Sequence, residues 1–203
     1  MKKTEMKMVI KEVLEESAHG ESIVEAAIRC FDRFGVAKTT VDDIAAEAGI
    51  ARATVYRTVS NRDHLYSVVS YKILGDIAAE IKPIVDRQAD FSTALIRGSI
   101  ESVRRFRASK VGMLLLEATG DLGVERFLID PQSPVVNHML LVFRETFKRA
   151  REGGALRRDL SDREAAAWIR SFIFILVLSS NLSKKEQESA IRKFLIPSLV
   201  TPP

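Results

Sequence analysis

Between Thr39 and Leu65 the chain reads TTVDDIAAEAGIARATVYRTVSNRDHL, two short stretches of helical periodicity hinged on Gly49. Val41, Ile44, Ala45 and Ala48 share one stripe, which predicts an amphipathic helix of about two turns with Asp42, Asp43 and Glu47 toward solvent. Thr40 is placed to cap it, and the two aspartates sit at the positive end of its dipole. Gly49 reaches left-handed backbone angles at little cost, so the chain can turn sharply and drop Ile50 into a shared core. The second helix, about Arg52 to Val59, keeps Val55 and Val59 inside and leaves Arg52, Ala53, Thr54, Tyr56 and Arg57 on or beside the opposite face. That combination suits a DNA groove: arginine forks onto guanine, threonine touches the thymine methyl, tyrosine reaches a phosphate, and small Ala51 and Ala53 let the helix end approach closely. The pattern reads as a helix-turn-helix spanning about 40–59, although a helix pair in an ordinary bundle has the same outline.

Upstream, Glu21 to Phe34 puts Ile23, Ala27, Cys30, Phe31 and Phe34 on one stripe and stops at Gly35, giving a third helix that can brace the pair. The segment then resembles the head of the TetR family of bacterial transcriptional regulators. The likeness rests on F-x-x-x-G-x-x-x-T-T at Phe31, Gly35, Thr39 and Thr40, on Ile44, Ala45, Ala48 and Gly49, and on Tyr56, Arg62 and Leu65. It implies phosphate contacts from Thr40, Tyr56 and Arg62, the last standing where a lysine is usual, and base contacts from Arg52, Ala53, Thr54 and Arg57. Lys38 and Thr39 complete the expected interface. Three positions depart from the pattern: Ala51 replaces a serine or threonine N-cap, Thr58 an aromatic or histidine, and Val59 a phenylalanine.

Charge is informative only locally. The formal net charge is +4, yet residues 1–66 carry ten Lys and Arg against eleven Asp and Glu. What matters is that Lys38, Arg52, Arg57 and Arg62 gather around the proposed DNA face while the acids of the first motif helix are expected to point elsewhere.

The remainder reads as helix after helix, so the fold class expected is all-α: a three-helix head joined by a long helix to a helical bundle for ligand binding and dimerisation. The expected domains are an N-terminal helical extension (1–18), the head (19–66) and the bundle (67–203). The extension is amphipathic, with Lys2, Lys3 and Lys7 at its tip; it is either a solvated segment or a basic arm for DNA. The linking helix is expected to run from Arg62 to about Ile81 and end before Pro83. Further helices are expected near 92–107, 109–119, 121–129, 134–152, 161–180 and 183–199, the last two opened by capping boxes at Ser161 with Glu164 and Ser183 with Glu186.

The run Phe172 to Leu178 is apolar on every side but far shorter than the roughly 20 residues a membrane span needs. Burial against a bundle on one side and a second subunit on the other accounts for it, with Ile191, Phe194, Leu195 and Leu199 as the partner face. The resemblance implies a homodimer through the two C-terminal helices, and two reading heads about 34 Å apart imply a near-palindromic operator of double-stranded DNA.

The resemblance also implies a small-molecule effector within the bundle, for which the mostly apolar set Phe106, Met113, Leu116, Glu117, His138, Phe143 and Trp168 is the expected lining and a lipophilic effector the expected guest. Arg104, Arg105 and Arg107 form either a solvated face or a seat for an acidic effector.

No nucleophile–base pair, phosphate loop or metal-ligand spacing emerges, so neither enzyme activity, cofactor nor metal is expected. The single cysteine, Cys30, lies on an apolar stripe and, with the absence of a signal-like N-terminus, fits a cytoplasmic protein. The function expected is a sequence-specific, ligand-responsive repressor. The alternative is a helical protein-interaction module whose head no longer binds DNA.

Overall fold

The structure is a computed structural model, described here for residues 17–118 and 133–201. The N-terminal extension up to residue 16 and the helix expected at 121–129 lie outside those residues. Among them, every regular element is helical; the one β-type pairing is an isolated antiparallel bridge between Leu156 and Val200.

Two compact units emerge. The first contains α1 (Gly20–Phe34), α2 (Val41–Ala48), α3 (Arg52–Thr58), the beginning of α4 (Arg62–Asp86) up to Ile73, and α6 (Lys110–Ala118). The second contains α4 from Leu74 onward, α5 (Phe91–Ala108), α7 (Val136–Glu152), α8 (Asp162–Leu178), α9 (Lys184–Ala190), a π-helical turn at Ile191–Leu195, and α10 (Ile196–Leu199). The division falls inside α4, and α6 joins the first unit.

In the first unit Ile23, Ala27, Phe31, Ile44, Val55 and Leu65 are buried together, and the Phe31 and Tyr66 rings meet edge-on with centroids 5.8 Å apart. The stripe expected on α1 is this core, except that Phe34 stands exposed under the Arg33 guanidinium, 5.5 Å from its centroid. Cys30 is buried, and burial followed by the nearby Glu47 and Asp43 charges pushes its thiol up, which makes it an inert packing group.

In the second unit Phe143 and Phe147 are fully buried and pack ring to ring at 5.8 Å, with Phe91 at 6.0 Å from Phe147. Gly98 on α5 is what lets α4 and α7 close on this cluster. A β-carbon there would lie 2.8 Å from Val85 Cγ2 and 2.9 Å from Phe143 Cζ. Its chain end is pinned by backbone bonds from Arg157 N to Leu199 O (3.0 Å) and from Thr201 N to Ala155 O (2.9 Å).

The expectation that α4 stops before Pro83 is not met, since the helix continues to Asp86. Proline removes one hydrogen bond, to the carbonyl four residues earlier. Both Ala79 and Pro83 are exposed, so water can take that carbonyl, while Ile81 and Val85 are buried and hold the helix to the core on its other side.

Candidate nucleic-acid interface

α2 begins at a reciprocal cap. Thr40 Oγ1 accepts from Asp43 N (3.2 Å) while Asp43 Oδ2 accepts from the Thr40 hydroxyl (2.6 Å) and from Thr40 N (2.8 Å), and the bonds to the carboxylate, the hydroxyl's first, hold it below the usual range. Gly49 ends α2 with φ 67° and ψ 30°, the left-handed conformation the turn requires. Glu47 bridges back to α1 by bonds from Arg29 Nε (2.6 Å) and Arg33 Nη1 (3.4 Å). The scaffold beneath α3 is therefore fixed by a cap, a glycine turn and a cross-helix ion pair.

α3 buries Val55 completely and exposes Arg52, Ala53, Tyr56 and Arg57, with Thr54 half-buried between the two faces. Its N-cap, Ala51, has an extended backbone (φ −69°, ψ 140°) and makes no side-chain capping bond. Arg52 is drawn toward its neighbours: Nη1 donates to Asp42 Oδ2 (2.9 Å), Nη2 donates to Tyr56 Oη (3.4 Å), and the guanidinium lies over the Tyr56 ring at 5.5 Å. The Tyr56 hydroxyl and the Asp42 carboxylate hold its pKa above the ordinary arginine value. The expectation that Asp42 points away from the reading face is thus corrected: it borders that face as a counter-ion for Arg52. Both partners are well exposed, so the pair is worth little and yields readily to a phosphate or a base.

Lys38 and Thr40 are exposed at the approach to the motif. Thr39 is buried, and its hydroxyl donates to Gly35 O at 2.8 Å. Arg62 Nη2 donates to the carbonyls of Val36 (2.7 Å), Ala37 (3.0 Å) and Thr39 (3.5 Å), and its guanidinium sits over Tyr66. In the structure these two side chains close the loop between α1 and α2 from within.

The residues expected to line an effector pocket are divided between the two units. Met113, Leu116 and Glu117 all lie on α6 in the first unit, with Glu117 exposed. Phe143 is in the solid core of the second unit. Trp168 is 45% exposed and donates through its indole N–H to Ser198 Oγ (2.7 Å). Phe106 and His138 border a cavity within the second unit, together with Ile77 of α4, Ser102 of α5, and Arg170 and Phe174 of α8. About 520 Å3 free of protein atoms lies there, the open mouth included.

Arg170 was missed, although its position in WIRSFIFILVL, at helical spacing from Ile173, Phe174 and Val177, placed a charge on a buried stripe. The three arginines offered for an acidic effector have other occupations. Arg104 and Arg105 pair with Glu101, Arg105 also with Glu80 (2.7 Å), and Arg107 donates to the last carbonyls of α8, Leu176 O (2.7 Å) among them.

The final helical stretch divides differently from expectation. Ile191, Leu195 and Leu199 are fully buried in their own unit, whereas Phe194 is 65% exposed. On α8, Trp168, Ile175 and Leu178 remain outward at helical spacing.

A braced helix pair with a cationic, aromatic second helix defines a DNA-binding transcriptional regulator of the helix-turn-helix class. Residues 23–69 match the family described as bacterial regulatory proteins, tetR family. Whole-chain likeness supports the fold. TetR family repressor AlkX from Dietzia sp. strain DQ12-45-1b has a TM-score of 0.65 at 19% identity, over 90% of this chain and 95% of that one. A putative tetR family regulator from Shewanella sp. PV-4 has a TM-score of 0.57 at 14% identity, over 90% and 98%. SmeT, repressor of the Stenotrophomonas maltophilia multidrug efflux pump SmeDEF, has a TM-score of 0.53 at 21% identity, over 89% and 90%. No curated protein matches the chain in sequence.

Among the described residues, no helix is long and apolar enough to cross a membrane, and no group of three or more His, Cys, Asp or Glu is arranged to hold a metal ion.

Proposed function

We propose that the protein is a cytoplasmic, non-enzymatic repressor that binds a near-palindromic operator as a homodimer and is released by a lipophilic effector. The observation that carries this reading is the exposed face of α3, where Arg52, Ala53, Tyr56 and Arg57 stand over a buried Val55. Arg52 and Arg57 read bases together with Ala53 and Thr54, while Tyr56, Thr40 and Lys38 hold phosphates. Thr39 and Arg62 contribute by fixing the loop that carries Lys38.

The homodimer reading is supported by the outward apolar side chains Trp168, Ile175 and Leu178 of α8 and by Phe194, large groups that a second copy would cover. Effector release is supported by the cavity in the second unit, which α4 helps to line before the same helix continues back to Arg62. AlkX and SmeT are described as repressors, which favours repression over activation here. A hundredfold loss of operator affinity on effector binding corresponds to about 2.7 kcal/mol of coupling, within the ordinary allosteric range.

Footprinting with the purified full chain tests the reading. Protection of a two-fold-related site upstream of its own or a neighbouring gene is expected. Absence of any protected site across those regions overturns it.

A further inference from the structure

The cavity of the second unit is lined by α4, α5, α7 and α8 and by Val135 just before α7, and its wall is apolar apart from three groups: Ser102, His138 and Arg170. No acidic side chain occurs among these described lining residues. Each polar group is restricted in what it can offer. Ser102 Oγ donates its proton to Gly98 O at 2.7 Å, so toward the cavity it is an acceptor only. The His138 ring lies against the backbone of Gly75 on α4, where a β-carbon would come within 3.1 Å of Cε1. Arg170 is 5% exposed and carries a charge that cannot be neutralised by deprotonation.

A guanidinium presents five N–H donors in a planar fork, so it can serve a neighbour in the protein and still take a two-oxygen acceptor. Placed in an apolar wall, it favours an anion over a neutral head and a neutral head over a cation. Beyond Arg170 the same helix face continues through Ile173 and Phe174 to Val177, about 10 Å along the axis for seven residues, with no polar group on that stretch of the lining. The wall therefore has one charged end and one long greasy side.

We propose that this cavity selects amphipathic carboxylates, with the carboxylate seated on Arg170 and an apolar chain lying along α8 toward Val177. The assignment deepens the effector reading and rests on it for its regulatory meaning. His138, which lies against Gly75, borders the same cavity on its α4 side.

Isothermal titration of the full chain with decanoate, decan-1-ol and decyltrimethylammonium, at concentrations below micelle formation, separates head-group from chain effects. Decanoate is expected to bind at least tenfold more tightly than decanol, and the ammonium compound more weakly than both. Arg170→Gln should abolish the preference for decanoate over decanol, and Arg170→Lys should retain part of it. Equal binding of decanoate and decanol to the unaltered protein, full retention of the preference in Arg170→Gln, or no binding of any of the three overturns the proposal. If Arg170→Gln fails to fold, the unaltered protein and Arg170→Lys decide it. Duplex-DNA binding is followed in parallel. Preferential decanoate binding that leaves DNA affinity unchanged sinks the effector-release reading while the cavity assignment stands, and release of DNA by decanol as readily as by decanoate does the reverse.

Discussion

Replacing Ala51 by serine should stabilise the reading head. The backbone at Ala51 (φ −69°, ψ 140°) is already close to that of the two serine caps, Ser161 (φ −73°, ψ 158°) and Ser183 (φ −64°, ψ 162°). In those caps the hydroxyl accepts from the third amide of its helix at 3.2 and 3.3 Å. The equivalent donor in α3 is Thr54 N, which reaches the Ala51 carbonyl at 2.8 Å and has no capping side chain to bond. A hydroxyl at position 51 needs no backbone movement to add the missing bond. The gain is about 0.5–2 kcal/mol, the usual difference between a serine and an alanine N-cap. For a chain of this size each kcal/mol raises the melting temperature by roughly 2–4 °C. Thermal unfolding gives the total, and hydrogen exchange at the amides of residues 53–56 localises it to α3. An unchanged melting temperature together with unchanged exchange at those amides would refute the claim that α3 lacks only a cap.

Three further predictions follow from other parts of the molecule. Arg52→Ala should relax sequence preference, whereas Tyr56→Phe should weaken specific and random duplexes alike, as competition binding would show; equal losses on both kinds of DNA for both variants would contradict the division between reading and anchoring. Gly98→Ala should lower the melting temperature, because overpacking against Val85 and Phe143 costs roughly 1–3 kcal/mol against about 1 kcal/mol gained in helix propensity. Acid should loosen the caps: hydrogen bonds from Thr40, Ser161 and Ser183 hold Asp43, Glu164 and Glu186 below their ordinary values. Their stabilisation is complete above the unfolded carboxylate range of about 3.9–4.3 and is lost as pH falls through the lower folded values, so a melting profile should decline there rather than near neutrality.

What the sequence made legible was local chemistry. Thr40, Gly49, Ser161 and Ser183 each announce a helix boundary through a bond or a backbone angle that neighbours in sequence supply, and the structure forms all four. Pro83 misled because its effect depends on which way the freed carbonyl faces, a fact fixed by the burial of Ile81 and Val85 rather than by the proline itself. The same limit governs the α3 surface. Its exposed residues follow from periodicity, but the approach of Asp42 to Arg52 depends on how α2 and α3 cross.

The cavity was the least legible part. Met113, Leu116 and Glu117 are expected as lining because their helix is apolar; in the structure α6 buries Val111 and Leu115 and ties Lys110 Nζ to Asp32 Oδ1 of α1 at 3.0 Å. Phe143 and Trp168 share the aromatic character of a pocket residue and lie in the core and on the surface respectively. The more discriminating mark was a charge on an apolar stripe, at Arg170.

The central claim, that α3 reads DNA sequence, is most directly tested by selecting duplexes from a random pool with the purified protein and measuring affinity for the selected and a scrambled site across a salt series. A two-fold-related selected site, bound at least a thousandfold more tightly than the scrambled one, with affinity for both falling steeply as salt rises, is the predicted result. No enrichment from the pool, or affinities for the two duplexes that coincide at every salt concentration, would contradict it.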